Sequence, residues 1–285
     1  MHVRDLTSAA ASRLKRARIP EPLLEAESLL ARLLKKDLAW LLAHPEAPVS
    51  PATAKAYATG VAARARHVPF AQIIGERGFY GRVFTVTKDV LIPRPETELL
   101  VEAVLARTKD GETFLDIGTG SGAIGLTLAA ERANNKAVLY DVSAKALAVA
   151  KTNARRLKLG RRVRFAKIDI LKNRFQEPRG PVAIVANLPY LPIATWKHAQ
   201  PEVRMHEPKL ALVSGKDGLD HYRALFKHVA RWKRPPKLLA LEAEPGQFKE
   251  LAQLAASAMP GASVTILKDL HRDERILIAE YQNAP

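Results

Sequence analysis

The 285-residue sequence contains no cysteine, which excludes disulfides and thiolate metal sites. It also lacks long apolar runs. The opening MHVRDLTSAAASRLKRARIPEP has no apolar core of signal-peptide length, and no later stretch could span a bilayer. A cytoplasmic protein with no membrane partner is expected. Acidic residues are in the minority, 29 against 45 Lys+Arg, for a net charge of +16. That excess suits a polyanion such as RNA, contacted weakly by a basic surface, or an acidic protein. The basic clusters (RLKRAR, LLKKD, ARRLKLGRRVR, RWKRPPK) are scattered with little aromatic interleaving, which equally describes charge spread over solvated faces. Internal repeats and low-complexity tracts are absent, and nothing demands more than a monomer.

What is present is ordinary for a globular chain, 47% hydrophobic and 26% charged, with length for one large or two smaller domains. Residues 1–72 read as a small helical domain. In EPLLEAESLLARLL (21–34), Leu23, Ala26, Leu30, Leu33 and Leu34 form one apolar stripe, and Ser50-Pro51 marks the start of a helix over 51–67. Residues 73–92 contain Phe79, Tyr80, Val83, Phe84, Val86 and Val90 among glycines, the pattern of a β-hairpin linker. From 93 to 285 a helix with Leu99, Leu100 and Val104 on its apolar face precedes alternating strands and helices. The strand candidates are 113–117, 137–141, 163–168, 182–186, 237–242, 263–267 and 275–281. Continuous apolar strands alternating with helices predict an α/β fold, a seven-stranded Rossmann-like sheet covered on both faces. The close spacing of the last two strands predicts an antiparallel strand at the sheet's end.

FLDIGTGSGAIGLTLA (114–129) reads as strand, glycine loop and helix. Gly118, Gly120 and Gly122 allow a tight turn and close approach of a ligand, and the helix start offers free amides. Gly118-x-Gly120-x-x-Ala123 also satisfies the dinucleotide fingerprint, and Asp141 after the next strand suits a ribose in NAD or in S-adenosylmethionine. Asp116, two residues before the first glycine, favours an amine-bearing ligand over pyrophosphate, and Asp169 after the third strand suits an adenine amine. An NAD-dependent oxidoreductase remains an alternative on these residues alone.

The fourth strand ends in Asn187-Leu188-Pro189-Tyr190. Pro189 removes a donor and fixes φ, so the turn is stiff and projects an amide and an aromatic ring together. Such a turn beside the glycine loop, in a sheet of order 3-2-1-4-5, suits transfer to a planar amide or amine nitrogen. The Asn187 side-chain oxygen and the Leu188 carbonyl can each accept an N–H, and Tyr190 can stack on a flat group.

The turn is similar to the (N/D)-P-P-(Y/F) signature of amino-methyltransferases. VLIPRPETELLVE (90–102), FLDIGTGSGAIGLTLA (114–129), DVSAKALAVAKTNA (141–154), VANLPYLP (185–192) and HEPKLALVSGKDGLDHYR (206–223) together resemble the protein-(glutamine-N5) methyltransferases that modify release factors, the HemK/PrmC family. The resemblance implies S-adenosyl-L-methionine as cofactor, wrapped by Gly118, Thr119, Gly120, Ser121 and Gly122. It implies Asp141 on the ribose, Asp169 and Ile170 beside the adenine, and a peptide-chain release factor as partner. It implies that Asn187 faces both donor and substrate glutamine, the latter seated at Asn187, Leu188, Pro189 and Tyr190, with the helical domain gripping the factor. One departure is Leu188, where the family has proline. The N-L-P-Y spelling also occurs in rRNA adenine dimethyltransferases, which makes nucleic-acid adenine methylation the alternative. Those enzymes lack the IPRPETE segment and the helical front and carry a helical module after the sheet, whereas here RILIAEYQNAP closes the sequence.

Three features stay outside this scheme. The Arg94–Glu98 segment either covers the donor's carboxylate or caps the helix at Thr97. His206-Glu207 reads as a structural turn rather than a metal pair, so no metal is expected. Glu242 reads as packing or a salt bridge to a neighbouring arginine.

Overall fold

The computed structural model describes residues 1–173, 177–178, 180 and 182–281, so 282–285 of the closing segment lie outside the described residues. The chain forms two compact units, one of Met1–Glu76 with Gln200–His206, the other of Arg77–Ala199 with the chain from Glu207 on.

The first unit is helical: α1 Val3–Arg16, α2 Pro22–Leu34, α3 Leu38–Ala43, α4 Pro51–Arg64 and α5 Phe70–Ile74. Ser50 caps α4 by accepting from the Thr53 N–H, with Pro51 in the first turn where no N–H is needed. The buried stripe of α2 differs from the sequence expectation. Leu23 and Leu33 are exposed, while Leu29 and Ala31 join Ala26 and Leu30 inside. The reason is that α2 lies against both α1 and α4. Gly60 of α4 comes so close that a Cβ there would stand 2.9 Å from Leu29. The Tyr57 hydroxyl donates to the Ala26 carbonyl at 3.0 Å. Arg64, 3% exposed, binds Glu25 and also Glu202 at 2.5 Å. This ion cluster ties the short helix Pro201–His206 to the unit, although it stands far along the chain.

In the second unit, hairpin β1 (Glu76–Phe79) and β2 (Arg82–Thr85) turns through Tyr80 and Gly81, whose φ values of 48° and 67° fit a two-residue type I′ loop. Its inward rings Phe79 and Phe84 meet edge to face, 6.0 Å apart. The sheet follows: β3 Thr113–Ile117, β4 Lys136–Asp141, β5 Val163–Lys167, β6 Ala183–Ala186, β7 Leu238–Glu242, β8 Ser263–Lys268 and β9 Glu274–Glu280. Its order is β5-β4-β3-β6-β7-β9-β8. All pairs are parallel except those of β9, which runs antiparallel to both neighbours. The antiparallel strand is therefore one place in from the edge, and β8 is outermost. β9 is the more apolar of the two, with Ile276, Leu277, Ile278 and Ala279 wholly buried, so it takes the interior position.

Helices α6 (Glu98–Leu105), α7 (Ala123–Glu131) and α8 (Ala144–Arg156) join Phe114, Val185 and Ala240 in one core. Helices α9 (Asp220–Val229) and α10 (Phe248–Ala258) join Leu115, Ile184 and Leu239 in the other. Consecutive strand residues thus enter opposite cores, which is why the strands read as unbroken apolar runs.

Candidate active site

The carboxyl ends of four adjacent parallel strands, β5-β4-β3-β6, open onto one cleft, the place where open α/β sheets bind ligands. After β3 the chain turns through Gly118, Gly120 and Gly122, all in left-handed backbone with φ of 74°, 56° and 85°. The N–H groups of Gly118 and Thr119 both donate to the Tyr140 carbonyl at 2.9 Å. A Cβ on Gly118 would stand 2.9 Å from the Leu188 side chain, and one on Gly122 would strike Leu126. A Cβ on Gly120 would meet nothing within 4 Å, and Gly120 lines the cleft. Gly118 both lines the cleft and is held close by packing, Gly122 serves packing, and Gly120 leaves open space.

Asp141, at the end of β4, accepts the Gly120 N–H at 2.9 Å and the Ser143 N–H at 2.8 Å. Burial raises its carboxyl above the usual range, opposed by these amides. It lines the cleft, as do Asp169 and Ile170 just past β5. Asp116 does not. It is fully buried behind the loop, where its Oδ2 accepts from the Thr119 hydroxyl at 2.5 Å and the Gly125 N–H at 2.9 Å. Burial pushes it up to about 6 against those two hydrogen bonds. The sequence placed this carboxyl in a ligand's approach; the structure makes it the clasp that holds the loop to the start of α7. Thr119, Ser121 and Gly122 likewise stand outside the cleft lining, and the Ser121 carbonyl is taken by Asn153 at 2.8 Å.

Asn187, Leu188 and Pro189 form the wall after β6. The N–H that leucine carries where the family has proline donates to the Tyr222 hydroxyl at 3.3 Å, and that hydroxyl donates to the Glu242 carbonyl. The extra donor is thus satisfied from within the core, and the Leu188 carbonyl, 3.4 Å from the same hydroxyl, keeps a second lone pair for the cleft. Tyr190 is not part of the lining. Its ring is half-buried against the core of α9 and α10, and its carbonyl accepts from Gln247 at 2.9 Å.

The Asn187 amide donates through Nδ2 to the Thr97 hydroxyl oxygen at 3.3 Å. Behind them Glu242, 1% exposed, is raised to about 7 by burial; the Thr97 and Asn187 side chains oppose the shift. Of the two readings offered for Glu242, packing or a salt bridge, the structure shows burial with no salt bridge among the described residues, and the neighbouring Arg275 pairs with Asp269 at 3.0 Å. Arg94 pairs with the buried Glu207 at 2.5 Å, and Glu207 also accepts the Ile92 N–H at 3.2 Å. Glu207 therefore anchors the IPRPETE segment, and Glu98 fastens it to the hairpin by accepting the Tyr80 N–H at 2.8 Å. The sequence reading missed Asp89, Val90 and Leu91, which line the cleft, and His221, which also lines it and bonds Ser214 at 2.6 Å. VLIPRP and GLDHYR carried the only signal for Val90, Leu91 and His221, and Asp89 lies just before the first.

Residues 5–75 match the family described as PrmC N-terminal domain, and residues 108–183 match a methyltransferase domain. The release factor glutamine methyltransferase of Cereibacter sphaeroides is 40% identical over 279 residues, covering 98% of each chain. That of Moorella thermoacetica is 38% identical over 284 residues, again 98% of each. This chain belongs to the release factor glutamine methyltransferase family. The catalytic domain of hMettl16 shares the fold, with a TM-score of 0.55 at 13% identity over 82% of this chain and 83% of that one. The family assignment makes S-adenosylmethionine the cofactor, and the cleft fits it. Gly120 leaves room beside exposed main chain, Asp141 offers a carboxylate at the end of β4, and Ile117, Val142, Ile168 and Ile170 supply apolar walls.

Proposed function

We propose that this chain methylates the side-chain amide nitrogen of the glutamine in the Gly-Gly-Gln loop of a peptide-chain release factor. The carrying observation is the Asn187-Leu188-Pro189 wall, which presents an amide and a main-chain carbonyl in the same cleft as the glycine loop. When bound, S-adenosylmethionine supplies an electrophilic methyl on a sulfonium. Gly118 and Gly120 hold its methionine part, Asp141 its ribose, and Asp169 with Ile170 its adenine.

An amide nitrogen is a poor nucleophile because its lone pair is delocalised. The Asn187 oxygen and the Leu188 carbonyl accept its two N–H groups, and this localises the lone pair toward the cleft. Pro189 and Tyr190 stiffen the turn that fixes both acceptors. The nitrogen gains a methyl as the methyl–sulfur bond breaks, its electron pair leaving with sulfur as a neutral thioether, and the nitrogen sheds one proton to water. Positioning and aimed dipoles supply the acceleration. Residues 1–72 grip the factor, 73–92 form the hairpin linker, and 93–285 carry the chemistry. The setting is the cytoplasm, where release factors act.

Replacing Asn187 by Ala should lower turnover by roughly 10²–10³-fold, the scale of one lost transition-state hydrogen bond. Steady-state kinetics with a purified release factor test this, and near-normal turnover would remove the turn from the mechanism.

A further inference from the structure

We infer that Thr97 and Glu242 are a buried positioning pair that fixes which end of the Asn187 amide faces the cleft. The inference rests on the reading of Asn187 as the acceptor for the substrate amide. An asparagine side chain carries an oxygen and an NH₂ of nearly equal shape, and only the oxygen can accept a substrate N–H. Rotated by half a turn, Asn187 would set donor against donor.

The structure supplies the element that prevents this. Nδ2 of Asn187 donates to the Thr97 hydroxyl oxygen at 3.3 Å. Thr97 is 4% exposed and ends the turn Pro95–Thr97. A hydroxyl that accepts this N–H still has its own proton to place. Glu242 provides the destination. It is the last residue of β7, its carboxyl stands beside the Thr97 and Asn187 side chains, and its Oε2 is buried with no hydrogen-bond partner among the described residues. A carboxyl keeps acceptor capacity whether or not it carries a proton. With the Thr97 proton drawn toward Glu242, both groups behind the amide accept, so the NH₂ turns inward and Oδ1 is left for the cleft.

A purely structural role would not call for an acid here. The neighbours Leu241, Ala243 and Ile276 are wholly buried and apolar, and the nearby Arg275 is already paired with Asp269. A buried carboxyl with one oxygen left without a partner among the described residues is costly to keep.

The test uses the full chain with a release factor, comparing Thr97→Val, Thr97→Ser and Glu242→Gln with Asn187→Ala. Thr97→Val should lower kcat by roughly 10- to 100-fold, the cost of misplacing a reacting group by about 1 Å. The KM for the factor and the S-adenosylmethionine affinity should stay near wild type. Thr97→Ser, which keeps the hydroxyl, should restore most of kcat. Glu242→Gln, which can present either end of its own amide to Thr97, should lower kcat as well. If Thr97→Val melts early, Glu242→Gln decides: a drop in kcat at unchanged KM supports the pair, and wild-type kcat overturns it. Wild-type kcat in a folded Thr97→Val, with Asn187→Ala impaired, also overturns the pair and leaves the acceptor reading intact. A fully active Asn187→Ala would fail that underlying reading instead.

Discussion

Glu242 and Asp116 show how the same residue type takes different work from its surroundings. Both are buried acids at strand ends, raised to about 7 and about 6 by desolvation. Asp116 Oδ2 is clasped by Thr119 and Gly125, Glu242 stands beside Thr97 and Asn187, and each acid keeps its other oxygen without a partner among the described residues. The raised value makes Glu242 a source of pH-dependent stability. An unfolded Glu titrates near 4.5, so between there and about 7 the folded protein holds a proton the unfolded chain has lost. The contribution of this group to stability therefore falls as pH rises through that window. Glu242→Gln removes the effect. Its stability relative to wild type should increase between pH 5 and pH 8, by at most about 3 kcal/mol, as read from urea unfolding at each pH. A difference that stays constant with pH would mean that Glu242 is not titrating there.

At the scale of elements, the glycine loop combines packing and binding at Gly118 and leaves Gly120 to binding. Gly118→Ala combines positive φ with a 2.9 Å contact to Leu188, so it should lower the melting temperature and weaken cofactor binding together. Gly120→Ala meets open space and faces only the backbone penalty of about 1 kcal/mol or slightly more. It should weaken S-adenosylmethionine binding with a much smaller change in melting temperature. Calorimetry and thermal melts on the two variants check this; equal losses of stability would contradict the division. The loop, all seven strands and the Asn187 turn were legible because each is a local pattern of periodicity, glycine spacing or proline. The supports of the turn were not. Thr97, Tyr222 and Glu242 come from three distant segments and meet only through the crossings of the sheet, which no local pattern records. Asp116 was misplaced for a related reason. Its distance from the glycines along the chain says nothing about which side of the loop its carboxyl takes. The α2 stripe failed at Leu23 and Leu33 because two partner helices, not one, decide which face is covered.

For the whole molecule, the net charge of +16 is the feature that leaves two substrate classes to distinguish. If the acceptor were RNA, log affinity would fall with log salt at a slope of about −0.9 for each duplex phosphate contacted. A protein acceptor predicts a much shallower dependence of KM on salt. The most direct measurement is methyl transfer from labelled S-adenosylmethionine to three acceptors side by side: an intact release factor, the same factor with its Gly-Gly-Gln glutamine changed to alanine, and unmodified rRNA. Label on the intact factor alone is the predicted result. Label on the rRNA alone, or equal label on both forms of the factor, would contradict the assignment of that glutamine to the Asn187 cleft.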